Sequence, residues 1–247
     1  MAKELRFFYD PAMSGELPKD EAQHALRVLR LQTGDELHIM DGQGRFHRAE
    51  ITTATGHRCL YRVVETTEQQ SAWRGHLHLA MAPTKNNDRT EWMAEKATEI
   101  GIDEFSFLNC QFSERRVLKT ERIEKIVVSA VKQSHKAWMP RVNEMTDFKR
   151  FVAAERAGQK FICHCYDERA IQGAGFTETE AKPHLMDAIV SGEDVTVLVG
   201  PEGDFSVDEV RLALKMGYRS VSLGQSRLRT ETAALVAAHL MQLRAQL

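Results

Sequence analysis

The run Val195-Thr196-Val197-Leu198-Val199, followed at once by Gly200-Pro201-Glu202-Gly203, constrains this chain more than any other segment. Five β-prone residues with almost no polar alternation make a strand that buries both faces, and such strands belong to parallel sheets covered by helices. Glycine ends the strand in a turn, and Ser206 with Glu209 marks the helix that follows. Other strand–turn–helix units are therefore expected, and from Trp73 onward the sequence supplies them. Residues 76–82, 104–108, 160–166 and 219–223 read as strands. Helical patterns fall at 88–100, where Asp88 and Glu91 form a capping box, at about 120–137 and at 183–190. Residues 230–247 are Ala- and Leu-rich on almost every side, so this last helix is expected to be buried in the core or against another subunit. The expectation is an α/β domain with a mostly parallel sheet.

The first seventy residues follow a different pattern. Residues 5–9, 36–40, 45–52 and 57–65 read as short strands. Asp41-Gly42 marks a tight hairpin between the second and third, and Asp20–Gln23 reads as a capping box opening a short helix. Strands at this spacing predict a small antiparallel barrel. The polar stretch 65–71 reads as a linker, so the chain divides into residues 1–72 and 73–247. A length of 247 residues suits two domains of unequal size.

Composition narrows the class further. At 43% hydrophobic and 28% charged residues, the chain has the balance of a globular protein with a real core. No run approaches the roughly 18 apolar residues of a membrane span, and the N-terminus lacks the basic-then-apolar layout of a secretory signal. Four cysteines in a chain of this length make no disulfide framework; together these features predict a cytoplasmic location with no membrane partner. The net charge of −2 hints at no nucleic-acid partner, but its distribution does. Residues 73–160 carry 16 basic and 12 acidic side chains, between two acidic flanks. Within that block, residues 115–141 hold eight basic residues against Glu121 and Glu124. Arg115, Arg116, Lys132, Lys136 and Arg141 are the candidates for phosphate contacts there, with His135 and Trp138 beside them. A solvated helix face explains the same residues.

Ligands of open α/β sheets bind beyond the carboxyl ends of the strands. Three segments there stand out: Val199-Gly200-Pro201-Glu202-Gly203-Asp204, Leu223-Gly224-Gln225-Ser226, and Arg227-Leu228-Arg229-Thr230-Glu231-Thr232. Glycine permits close main-chain approach to a nucleotide-like ligand, though plain strand–helix turns use it too. Arg227 and Arg229 beside Glu231 could hold a phosphate or a developing oxyanion, or could tie a loop to a helix. The Gly-x-Gly-x-x-Gly and Gly-x4-Gly-Lys-Ser/Thr signatures are absent. Cys163-His164-Cys165 sets its thiols and imidazole on opposite strand faces, which is poor geometry for a metal, and none is expected.

The ordered set Glu95-Lys96-Ala97-Thr98-Glu99-Ile100-Gly101, Phe112-Ser113-Glu114-Arg115, Gln133 with Pro140, the residues 197–206, Val221-Ser222-Leu223-Gly224 and Leu228-Arg229-Thr230-Glu231-Thr232-Ala233 resembles bacterial 16S ribosomal RNA (uracil-N3) methyltransferases of the RsmE type, in the SPOUT class. The resemblance implies a trefoil-knotted α/β methyltransferase domain preceded by a small PUA-like β-barrel that binds RNA. It implies S-adenosylmethionine as cofactor, held through Val199, Gly200, Glu202, Gly203, Leu223, Gly224 and Leu228. It implies a homodimer with the last helix at the interface, and 16S ribosomal RNA or the small subunit as partner. Arg229 would steady charge on the target uracil, and Glu231 would orient the loop or take the proton. The sequence departs from the family pattern at Asp204 (usually Gly), at Gln225-Ser226 (usually Pro-Arg) and at Lys136 (usually Arg). Lysine cannot reproduce a bidentate guanidinium fork. Two other readings share these motifs: a ribose 2′-O methyltransferase of the same class, and a non-catalytic RNA-binding assembly factor whose glycine loops are structural.

Overall fold

Two separately packed units make up the computed structural model, which describes residues 7–167, 170–171 and 182–247. The first contains the chain up to Ser71 together with Val128–Met139; the second contains Ala72–Val127 and Pro140–Leu247. A cut near residue 72 thus misses one piece, because Val128–Met139 packs with the N-terminal unit.

In the first unit, strands β1 (Phe7–Tyr9), β2 (Glu36–Met40), β3 (Arg45–Thr55) and β4 (Arg58–Glu68) form one sheet in that order. The β2–β3 and β3–β4 pairs are antiparallel, but β1 runs parallel to β2, so the sheet is not wholly antiparallel. The Leu17 N–H donates to the Cys59 carbonyl (2.9 Å) and the Tyr61 N–H to the Gly15 carbonyl (2.9 Å). Residues 15–17 thereby extend the sheet at the β4 edge, so its two edges belong to nearby parts of the chain. Phe8, Leu37, Ile39, Ala49, Ile51 and Cys59 fill the interior with Leu17, Ala22 and Ala25. The stretch expected as a linker is partly strand, since β4 continues to Glu68. Helix α1 (Lys19–Gln23) follows Pro18 rather than an acidic cap, and widens into a π-helical turn over His24–Val28. Its Glu21 lies 9% exposed, with Oε1 2.5 Å from the Lys132 ammonium.

The second unit is built on a parallel sheet of seven strands among the described residues. They are β5 (Leu77–Met81), β6 (Glu104–Asn109), β7 (Arg141–Val142), β8 (Thr146–Asp147), β9 (Gln159–Cys163), β10 (Val195–Val199) and β11 (Arg219–Val221). Their order is β11-β9-β10-β5-β6-β7, with β8 also on β6, and every pair is parallel. Both β10 and β5 are buried along their whole length. In sequence Leu77, Leu79 and Met81 alternate with His78 and Ala80, yet both sides of β5 are covered. Helices α2 (Asn87–Ile100), α3 (Thr120–Gln133, whose end from Val128 belongs to the first unit), α4 (Phe148–Ala153), α5 (Leu185–Ala188), α6 (Val207–Lys215) and α7 (Thr230–Gln246) accompany these strands among the described residues. Helix α2 is capped by Asn86, whose side chain accepts the Asp88 N–H, two residues before the expected cap position. Helix α3 stops at Gln133, four residues short of the expected end, and His135 turns the chain with φ +53°. Helix α7 packs on β5, β10 and α2. No helix among the described residues is long and apolar enough to cross a membrane.

Two buried histidines make this unit sensitive to acid. Burial penalises the imidazolium forms of His78 and His164 and holds both at about 4, against an ordinary 6.5. Burial alone would raise the neighbouring Glu104 carboxyl, but the His76 hydrogen bond (2.8 Å), the His78 charge and Asn143 outweigh it and bring it to about 2. Between pH 6.5 and 4 the unfolded chain binds protons that the folded one refuses, so stability must fall as pH drops. Chemical denaturation across that range is expected to show a loss on the order of 2 kcal/mol per histidine. A level profile from pH 6.5 to 4 would refute the neutral-histidine assignment. The Glu21–Lys132 pair gives a second expectation. Lys132→Ala strands a buried carboxylate and should cost about 2–3 kcal/mol, whereas adding Glu21→Ala should recover part of that loss. A double-variant loss equal to the sum of the two single losses would show that the pair does not couple.

Candidate functional site

Every strand of the parallel sheet ends on the same edge, and the loops there are pinned to one another by carboxylates. The 200–206 loop leaves β10 and enters α6 through a complete capping box, with Ser206 and Glu209 bonding each other's main chain. Three acidic side chains of this segment each accept a main-chain N–H from a different neighbouring loop. Glu202 Oε1 takes the Lys85 N–H beyond β5 (2.7 Å), Asp204 Oδ2 takes the Cys165 N–H beyond β9 (2.8 Å), and Glu209 Oε1 takes the Gln111 N–H beyond β6 (2.8 Å). Lys85 also pairs with Glu114 (2.7 Å), and the Arg115 guanidinium donates to the Thr84 and Lys85 carbonyls (3.1 and 2.7 Å).

The turn itself requires small residues. A side chain at Gly200 would put its Cβ 3.0 Å from the Phe205 nitrogen and 3.1 Å from its ring. Asp204 adopts φ +66°, in the left-handed region that aspartate tolerates better than most side chains. The departure from glycine there is thus accommodated by the residue, and its carboxylate adds the bonds to Cys165 and to the Phe205 N–H (2.7 Å). Gly224, beyond β11, has φ +114° and nothing within 4 Å of where a Cβ would stand.

The residues singled out from the sequence occupy distinct places. Val199 closes β10 and is buried; Gly200 is buried, Glu202, Gly203 and Gly224 are exposed, and Leu223 and Leu228 are half-buried. Among the described residues, none hydrogen-bonds the main-chain groups of Gly200, Leu223 or Leu228. Arg229 begins α7 with its carbonyl on the Ala233 N–H (2.8 Å), while its guanidinium is exposed and has no partner among the described residues. Glu231 does not pair with the arginines beside it. It is 7% exposed, with Oε1 3.5 Å from the Arg89 guanidinium of α2 and Oε2 buried without a partner among the described residues. The segment 82–89 thus touches both the first and third loops, through Lys85 and Arg89. The Leu223-Gly224 loop, on the far side of β9, is joined to neither by a hydrogen bond among the described residues.

The basic candidates separate in two. Arg115 and Lys132, both half-buried, have partners within the fold, carbonyls in one case and Glu21 in the other, and Arg116 also donates to the Gln111 carbonyl (3.2 Å). Arg116 and Arg141 are exposed and Lys136 is half-exposed. Arg89 and Lys85 were not singled out from the sequence, and Phe112, half-exposed, entered only within its motif; its Cβ would stand 3.1 Å from a Cβ at Gly203. Arg89 sits in a helix first turn, where a basic residue carries no signal; only the burial of Glu231 gives it a task. At the opposite, amino-terminal edge of the sheet, a cleft of about 430 Å³ is lined by His76, His78, Glu104, Arg141 and Asn143. It is far along the strands from the loops above.

Two family models match this chain: an RNA methyltransferase domain over residues 71–242 and an RNA methyltransferase PUA domain over residues 17–64. Among solved structures, a probable rRNA-methyltransferase from Porphyromonas gingivalis is 43% identical, with a TM-score of 0.86 over 97% of this chain and 99% of that one. The ribosomal RNA small subunit methyltransferase E of Neisseria gonorrhoeae, bound to S-adenosyl methionine, is 26% identical, with a TM-score of 0.80 over 97% of each chain. The ribosomal RNA small subunit methyltransferase E of Bacillus subtilis is 26% identical over 88% of this chain and 85% of its own length. This chain belongs to the RNA methyltransferase domain family, with the RNA methyltransferase PUA domain ahead of it in sequence.

Proposed function

We propose that this protein transfers the methyl group of S-adenosylmethionine to N3 of a uridine in 16S ribosomal RNA, acting on the small subunit in the cytoplasm as a homodimer. The observation that carries the reading is the pairing of two features at one sheet edge: main-chain groups of Gly200, Leu223 and Leu228 that no described residue hydrogen-bonds, and an exposed Arg229 guanidinium with no partner among the described residues. The cofactor fits that edge. Its adenosine and methionine parts need main-chain donors and acceptors, which Gly200, Leu223 and Leu228 offer, and open space, which surrounds Gly224, whose own N–H and carbonyl bond the Ser222 hydroxyl (3.1 Å each). Val199, Glu202 and Gly203 complete the holding set. In this reading residues 73–247 form a SPOUT domain and residues 1–72 a PUA-like RNA-binding domain. The chain past β11 returns to the sheet centre, where α7 packs on β5 and β10, a path compatible with the threaded knot of that class.

S-adenosylmethionine supplies an electrophilic methyl group when bound. The protein's share is to orient the uracil and to stabilise negative charge as the imide proton leaves N3. Arg229 does this by donating to a uracil oxygen, since a guanidinium keeps its charge at any working pH and presents several donors in one plane. Glu231, fixed through Oε1 by Arg89, leaves Oε2 to accept a hydrogen bond from the substrate or the loop, and holds the start of α7 in place. Arg116, Lys136 and Arg141 contact RNA phosphates as point or forked charges. The half-exposed Trp92 on α2 and Leu243 on α7 give the second subunit an apolar surface to cover.

Incubating the protein with methyl donor and small subunits that lack the modification should yield N3-methyluridine at a single mapped position. A 2′-O-methylated nucleoside, or no transfer, would refute the reading. Arg229→Ala should lower kcat about 100- to 1000-fold, the scale of one lost oxyanion donor, with cofactor affinity unchanged in calorimetry. An undiminished kcat would remove Arg229 from the mechanism.

A further inference from the structure

Trp138 is 47% exposed, which is unusual for so large an apolar ring, yet it is held by more contacts than a surface side chain needs. It lies in the Val128–Met139 piece of the N-terminal unit, and its place there is set by the tip of the β2–β3 hairpin. The Gly44 N–H donates to the Ala137 carbonyl (3.0 Å) and the Met139 N–H to the Gly42 carbonyl (3.0 Å), so residues 137–139 lie along the tip like a short extra strand. The indole N–H donates to the Gln69 carbonyl (3.1 Å), whose own N–H donates to the Gly44 carbonyl (2.7 Å). The ring rests on Gly44 so closely that a Cβ there would stand 2.4 Å from it, and Gly44 holds φ +94°. Any side chain at residue 44 would displace the indole. The hairpin tip is thus shaped to seat one side of the ring and to leave the rest open.

A rigid, half-open indole with its polar atom already satisfied has one physical use that an ordinary packing residue lacks. It offers a pre-ordered apolar surface on which a planar aromatic group can stack at little entropic cost. Its surroundings select the kind of partner. His135 and Lys136 stand three and two residues before it, and the exposed Arg45 follows Gly44 directly. A planar group attached to phosphates suits that setting, and unpaired bases stacked on aromatic side chains beside cationic groups are the usual way proteins hold single-stranded RNA. We propose that Trp138 is a stacking platform for an unpaired base of the RNA substrate, separate from the uridine that is methylated. This rests on the RNA methyltransferase reading and adds to it a base contact within the N-terminal unit.

The chain has three tryptophans, so emission can be read by difference. Adding a single-stranded RNA from the substrate region to the wild-type protein should quench tryptophan emission. The quench should be absent in Trp138→Phe, where Trp73 and Trp92 remain. Trp138→Ala should weaken RNA binding roughly 5- to 150-fold, the range for one stacked base, whereas Trp138→Phe should keep most of the affinity. Cofactor affinity should be unchanged in both variants. The wild-type quench needs no substitution, so it stays informative even where Trp138→Ala is poorly folded. If the wild-type protein binds RNA and methylates small subunits but shows no Trp138-dependent quench, or if Trp138→Ala binds RNA as tightly as wild type, the platform is wrong and the methyltransferase reading stands. If the wild-type protein neither binds RNA nor transfers methyl groups, both fail.

Discussion

Strand β10 has no side that water can reach, and most of the second unit follows from that. Its five residues are buried between β9 and β5, both parallel to it. Burying each of its large apolar side chains contributes about 1.5–3 kcal/mol, so the strand is a strong organiser of the sheet. A strand buried on both faces cannot itself carry polar chemistry. A parallel sheet also returns every chain segment by a crossover, so all carboxyl ends gather on one edge. The two constraints together push the chemistry into the loops of that edge, where the unengaged main chain and Arg229 are found.

Loops that face a ligand with open main-chain groups have few bonds of their own to hold them, and here the support comes from carboxylates. Glu202, Asp204 and Glu209 reach the loops beyond β5, β9 and β6 in turn, each accepting one N–H. Charge-assisted bonds of this kind are worth roughly 1.5–3 kcal/mol apiece. The acidic surplus of the last third of the chain is therefore partly internal scaffolding. Asp204 shows how a departure from a family pattern can be absorbed. It takes the left-handed backbone that glycine usually supplies and uses its carboxylate to fasten two neighbouring N–H groups.

The sequence made legible whatever depends on neighbours in the chain. Burial of 195–199, the Ser206–Glu209 capping box, the glycine ending α2 and the Asp41-Gly42 hairpin are all local in origin, and all are present. What it hid depends on residues far apart. The parallel pairing of β1 with β2 has no local signature, because a strand of three residues pairs wherever an edge is open. Covering of the second face of β5 reads as alternation until the helices are in place. Of the candidate site, the glycine loops were legible from composition, but Arg89 as the partner of Glu231 was not, since 142 positions separate two residues that meet at 3.5 Å. The assignment of Val128–Met139 to the N-terminal unit was hidden for the same reason: its bonds go to the hairpin tip at residues 42–44.

The basic segment 115–141 shows why a sum of charges along the chain is a poor measure of the field outside the protein. Counted in sequence, it carries a surplus of six positive charges. In the fold, Arg122 meets Glu91 at 2.6 Å and Lys132 meets Glu21 at 2.5 Å. Neither of those acids lies in the segment, so no local count could subtract them. The surplus facing outward is therefore smaller than the count along the chain. A smaller outward surplus gains less from phosphate contacts alone, and its affinity has a correspondingly shallower salt dependence. Base contacts must then supply more of the grip, and within the N-terminal unit the ring with the geometry for one is Trp138.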